Sequence, residues 1–143
     1  QAGLQQAILV TWAILRDGCK VLLHMSLGSK ESERDWLEHF RSLVRRGLRP
    51  PLTVTTDGAP GLIKTVETMW PEAERIRCWV HKMRNILDKV PEEVRPELKA
   101  HLVAIRDAAD YKQGERLAEE VMEKYGKTYP SAMQCLRDDL AAA

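Results

Sequence analysis

Residues 52–70 read LTVTTDGAPGLIKTVETMW, and the order of residue types in this stretch decides the expected fold. Leu52 to Thr56 is a β-branched run of the kind that suits a pleated, half-buried strand. It stops abruptly at Asp57-Gly58. Leu62, Ile63, Val66, Met69 and Trp70 then recur at helical spacing. Pro60 stands where a first helical turn tolerates a missing N–H, and Pro71 where a helix must end. A strand that hands an acid to a tight turn and runs on into a helix is the α/β unit whose chemistry gathers past the carboxyl ends of strands.

Working outward, Gln6 to Leu15 (QAILVTWAIL) and Cys19 to Leu27 are strand-like runs separated by Arg16-Asp17-Gly18, a hairpin turn. Their near-continuous apolar character predicts an antiparallel pair covered on both faces. Gly28 and Ser29 close it. From Ser32 the period becomes helical, with Trp36, Leu37, Phe40, Leu43 and Val44 on one side and Gly47 as the stop. After the quoted stretch, Arg75 to Trp79 is a short strand. Val80 or His81 opens a helix carrying Met83, Ile86, Leu87 and Val90. Beyond Pro91 only helical stripes remain: Leu98, Leu102 and Ile105; Leu117, Val121, Met122 and Tyr125; Met133, Leu136 and Leu140. The order β-β-α-β-α-β-α, followed by helices alone, predicts a mixed α/β sheet over residues 1–90. Pairing turns parallel after the hairpin and helices lie on both faces. Residues 91–143 form an appended helical segment.

With 143 residues, one core is expected. Hydrophobic residues are 44% and charged residues 30%, and no apolar run nears the roughly 18 residues a membrane helix needs, so disorder and membrane spans are excluded. Gln1 to Gln6 lack the basic start and apolar run of a secretory leader, which gives a cytoplasmic expectation. Three cysteines, an odd number spread along the chain, point to reduced thiols. The net charge of +1 divides unevenly: residues 1–90 hold 14 Lys+Arg against 10 Asp+Glu, and residues 91–143 hold 8 against 11. That bias is too small to mark a dedicated nucleic-acid module by itself.

Two spots could carry chemistry. Asp57 at a strand end can hold Mg²⁺, with Gly58 letting a phosphate approach; equally, Asp-Gly can be a turn or a helix cap. Cys78-Trp79-Val80-His81 has the spacing for two zinc ligands, but a structural zinc needs four, and Cys19, Cys135, His24, His39 and His101 show no paired spacing. Around it, Arg75, Arg77, Lys82, Arg84, Lys89, Asn85 and Trp79 make the basic and aromatic mixture that suits a nucleic-acid backbone and a stacked base, or a solvated helix face. Glu31, Glu33, Asp35 and Glu38 read as the wet face and acidic first turn of their helix. Nucleophile-elbow, Walker and dinucleotide-binding signatures are missing.

Read together, residues 55–85, TTDGAPGLIKTVETMWPEAERIRCWVHKMRN, resemble the signature block of the Mutator-type transposases of bacterial insertion sequences. The likeness extends upstream through residues 28–48, GSKESERDWLEHFRSLVRRGL, and downstream to residues 125–140, YGKTYPSAMQCLRDDL. It implies a ribonuclease H-like core, an Asp-Asp-Glu triad holding Mg²⁺, and cutting and joining of DNA at transposon ends near the bacterial nucleoid. Asp57 would be the second acid and a metal ligand. Cys78 and His81 would fall on the family's Cys-x-x-His motif and, with Arg77, Lys82, Arg84 and Asn85, help place DNA. The family's first acid sits on a strand before the hairpin and its glutamate on a helix after the insertion, and neither matches a residue here. The expectation is therefore an internal fragment or decayed element, inactive alone and weak for Mg²⁺. Its empty strand slot invites dimerisation or strand exchange. The competing expectation is a non-catalytic nucleic-acid-binding or interaction domain using Arg75 to Lys89.

Overall fold

A computed structural model describes residues 6–143, so the expectations that rest on residues 1–5, the missing leader and the missing first strand, lie outside the described residues. The chain divides into two compact units, Gln1–Arg75 and Ile76–Ala143.

In the first unit, β1 (Ala7–Ile14) and β2 (Lys20–Gly28) form the predicted antiparallel hairpin. Gly18 takes a φ of 86°, and the Asp17 carboxylate accepts from the Cys19 N–H at 2.9 Å, which tightens the turn. Ile8 faces Leu27, Val10 faces Met25 and Thr11 faces His24, but Trp12 faces Leu22. Leu23 is therefore the extra residue of a bulge. Its carbonyl, freed from the ladder, accepts from the Arg46 guanidinium at 2.9 Å.

α1 (Glu33–Arg45) begins at Ser32, whose side chain accepts from the Asp35 N–H. It ends through Gly47, whose φ of 100° only glycine adopts without strain. Its buried side, Trp36, His39, Phe40 and Leu43, packs with Leu9 of β1 and with Leu62, Val66 and Trp70. Each large apolar side chain so buried contributes about 2 kcal/mol. Among the described residues only one face of the hairpin is covered. Ile8, Trp12, Ile14, Met25 and Leu27 on the other face are exposed, against the expectation of cover on both sides. A run of apolar residues reports the strand, not what lies over it.

β3 (Thr53–Thr56) leads through residues 57–59 into α2 (Pro60–Met69). β3 pairs with the opening of β4 (Glu74–Arg77), where the Glu74 N–H reaches the Leu52 carbonyl at 2.9 Å. The fold is mixed α/β, as expected. The single continuous sheet is, among the described residues, two separate two-stranded sheets. No described strand lies between the hairpin and β3 to join them.

The second unit is helical: α3 (Trp79–Leu87), α4 (Arg95–Arg106), α5 (Tyr111–Tyr125) and α6 (Pro130–Arg137), closed by a short 3₁₀ turn. Ile86 and Val90 share one apolar cluster with Leu98, Leu102, Val121, Met133 and Leu136. The packing boundary therefore lies before the change of character at Pro91. At the start of α5, Asp110 accepts from the Gln113 N–H at 2.8 Å and the Gln113 side chain accepts from Ala109 N–H at 2.7 Å, a reciprocal cap. No helix among the described residues is long and apolar enough to cross a membrane.

His39 is 2% exposed and spans β1 and β2: its Nε2 lies 2.7 Å from Thr11 Oγ1 and its Nδ1 2.6 Å from Ser26 Oγ. Both hydroxyls can donate or accept, so in the neutral ring one nitrogen donates and the other accepts. Burial, reinforced by nearby His24 and Arg46, pushes its pKa from 6.5 to about 4. Between those values the unfolded chain binds the proton and the folded one does not. Stability is thus complete above about pH 6.5 and falls by about 2–3 kcal/mol as pH drops to about 4. Urea midpoints measured across that range are expected to follow this slope, and His39→Gln to flatten it.

Gly61 lies where α2 meets the start of α1. A Cβ there would stand 2.7 Å from the Glu33 nitrogen and 3.1 Å from the Ser32 carbonyl carbon. Main chain cannot move aside as a flexible side chain can. Gly61→Ala is expected to cost about 1–3 kcal/mol, read as a lower melting temperature, despite alanine's higher helix propensity.

Candidate functional site

The residues singled out by sequence fall in both units. In the first, Thr56 is buried at the end of β3 and Asp57 follows it half-buried. One Asp57 carboxylate oxygen accepts from the Ala59 N–H at 3.0 Å, closing an Asx turn. Gly58 takes a φ of 88°, and its N–H donates to Thr56 Oγ1 at 3.3 Å. Ala59, not Asp57, is the N-cap residue of α2. The turn reading of Asp-Gly is therefore correct for the backbone, and the same turn fixes a carboxylate at the carboxyl end of a strand. Among the described residues no group of three or more His, Cys, Asp or Glu side chains could hold a metal ion. Asp57 by itself does not fit a pair of Mg²⁺ ions, which need several hard oxygen ligands.

In the second unit, Cys78 is the N-cap residue of α3, which starts at Trp79, one residue before the earliest expected start. The helical turn brings the His81 Nδ1 to 3.2 Å from the Cys78 Sγ. His81 is exposed and Cys78 half-buried. The Cys-x-x-His spacing thus does make a contact, and the pair is not a core feature. Two donors alone still fall short of a zinc site.

The basic cluster divides by helical position. His81, Arg84 and Asn85 are exposed along one side of α3. Arg84 offers a forked cation suited to a phosphate, and Asn85 an amide that both donates and accepts. Arg77 is buried. Lys82 is 1% exposed: its Nζ donates to the Cys135 carbonyl at 3.0 Å and to the Asp138 carbonyl, tying α3 to the end of α6. Burial pushes its pKa down, opposed by Cys135. An ammonium committed inside the helical unit supports α3 rather than touching a phosphate. The sequence did contain the signal, because Lys82 falls on the same stripe as Trp79, Met83, Ile86 and Val90.

The sequence of the chain as a whole falls in one transposase family. The chain belongs to it: the family model described as transposase, Mutator family, matches residues 2–143. The chain is 36% identical to the transposase for insertion sequence element IST2 of Acidithiobacillus ferrooxidans, over 94% of this chain and 46% of that protein. It is 32% identical to the transposase for IS6120 of Mycolicibacterium smegmatis, over 93% and 41% respectively. It is 29% identical to the transposase for IS1081 of Mycobacterium tuberculosis, over 94% and 30%. The chain spans less than half the length of these relatives.

Replacing Lys82 removes the donor from two main-chain carbonyls, so Lys82→Met is expected to destabilise the protein by about 1–3 kcal/mol. Thermal melting followed by circular dichroism measures this. A variant as stable as the parent would mean that the tie contributes nothing.

Proposed function

We propose that the chain is part of the catalytic domain of an insertion-sequence transposase, of ribonuclease H-like type, whose complete form cuts and rejoins DNA at transposon ends with Mg²⁺. The observation that carries the reading is the join of β3 to α2. There a carboxylate is held by its own turn at the end of a strand, within a stretch that the family match covers without interruption.

In this reading Asp57 is the acid this chain brings to the reaction centre, and two more acids come from other polypeptide. A lone carboxylate neither neutralises nor spaces divalent ions, so the chain alone is inert and Mg²⁺ belongs to the assembled enzyme. Along α3, Arg84 meets a DNA phosphate, and Asn85 and His81 donate alongside it. Lys82 holds that helix in place.

Fluorescence anisotropy with a labelled 30-base-pair duplex tests the DNA side. Binding is expected to weaken with salt, and Arg84→Ala to lower affinity several-fold and reduce the logarithmic salt slope by about one. Asp57→Ala is expected to leave binding alone and to abolish strand cleavage in a full-length transposase carrying this segment. Retained cleavage in that variant removes Asp57 from the reaction; salt-independent binding removes α3 from the DNA.

A further inference from the structure

The hairpin's uncovered face is built from one complete set of side chains. Ile8, Val10, Trp12 and Ile14 alternate along β1, and their cross-strand partners are Leu27, Met25, Leu22 and Lys20. The bulge at Leu23 shifts the alternation of β2, so that even-numbered residues join this face before it and odd-numbered ones after it. As a result seven apolar side chains stand side by side. Ile14 is 78% exposed, Leu27 69% and Ile8 59%, with Trp12 and Met25 also more than half exposed. Lys20, at the tip, is the one charged residue of the set, and its ammonium sits 4.6 Å over the Trp12 ring. The opposite face holds Leu9, Thr11 and Ser26 and is committed to the α1 cluster and to His39.

Together the seven leave on the order of 700 Å² in one contiguous patch, above the roughly 300–600 Å² of the largest patch on a typical monomer. We propose that this face is a self-association surface, occupied by the same face of a second copy of the chain about a two-fold axis. The area argues for that occupant. If both copies cover the patch, about 1,400 Å² is buried in total, within the range of about 1,200–2,000 Å² that specific protein interfaces need. The surface is also self-complementary in charge, because the seven central positions are neutral and the one lysine of each copy lies at the hairpin tip. A two-fold contact satisfies both patches at once and closes, leaving no apolar surface to recruit a third copy.

This contact differs from the strand exchange expected from sequence. Exchange would pair the open backbone edge of a strand with another chain and leave the side-chain face uncovered. It is also independent of the DNA reading, since it uses no residue of α3 and not Asp57.

Light scattering coupled to size exclusion, at roughly 50 µM chain, tests it. The expected mass is twice 16.3 kDa, falling toward one chain on dilution at a rate set by an affinity in the micromolar range usual for modest interfaces. Ile14→Lys combined with Leu27→Lys places like charges at both ends of the patch in each copy, and is expected to give a monomer with an unchanged far-ultraviolet spectrum. Met25→Lys alone, at an exposed central position, is expected to weaken the dimer by at least tenfold and serves if the double variant does not fold. A monomeric parent at this concentration overturns the proposal. So does an open series of larger species, and so does a folded double variant that stays dimeric, the result strand exchange would give.

Discussion

Backbone meets backbone where α2 crosses the start of α1, and the first unit is arranged around that approach. Gly61 presents no side chain to Ser32 and Glu33, and Thr65, one turn on, donates its hydroxyl toward the Gly61 and Glu33 carbonyls at 2.7 and 3.2 Å. With α2 held there, Leu62 and Val66 reach Phe40 and Trp70 in the shared cluster. The chain entering α2 has only Asp57, Gly58 and Ala59 in which to turn from β3, so the seat of the helix also fixes where Asp57 stands. A substitution tens of atoms away from the carboxylate can therefore move it.

Each unit also hides a titratable polar side chain among apolar neighbours that links elements distant in sequence. His39 reaches across to Thr11 and Ser26, so that α1 holds both strands of the hairpin. Lys82 reaches the end of α6. Such groups cost desolvation, which is why both are pushed toward their neutral forms, and they give the packing a particular register that apolar contact alone would leave loose.

Local chemistry was readable from the residues. Asp17-Gly18, Ser32, Gly47 and Pro60 each occupy the place that their side chain or backbone freedom predicts, because turns and caps depend on near neighbours. The Cys78 and His81 contact was legible for the same reason, one helical turn being a local distance. What the sequence did not carry is what lies over a surface. The hairpin reads the same whether covered on one face or two, and α3 reads as a continuation of the α/β order although its apolar side packs with the C-terminal helices. Lys82 reads as a surface cation by its charge, while its place on the apolar stripe of α3 buries it. The parity shift at Leu23 was invisible because both sides of the ladder around it are largely apolar.

That shift has a genetic meaning. Past the bulge, Leu22, Val21 and Lys20 keep their partners on β1 whether or not the extra residue is present, since Trp12 would meet Leu22 in a regular ladder one residue shorter. Loss of a single codon at position 23 would spare the orientation of the hairpin tip and forfeit the carbonyl that Arg46 grips together with the Leu23 side chain packed against the α1 cluster. Elsewhere in either strand, the same one-codon change would turn the remainder of the ribbon inside out. Length variation among descendants of this sequence therefore has one tolerant address in the hairpin ladder.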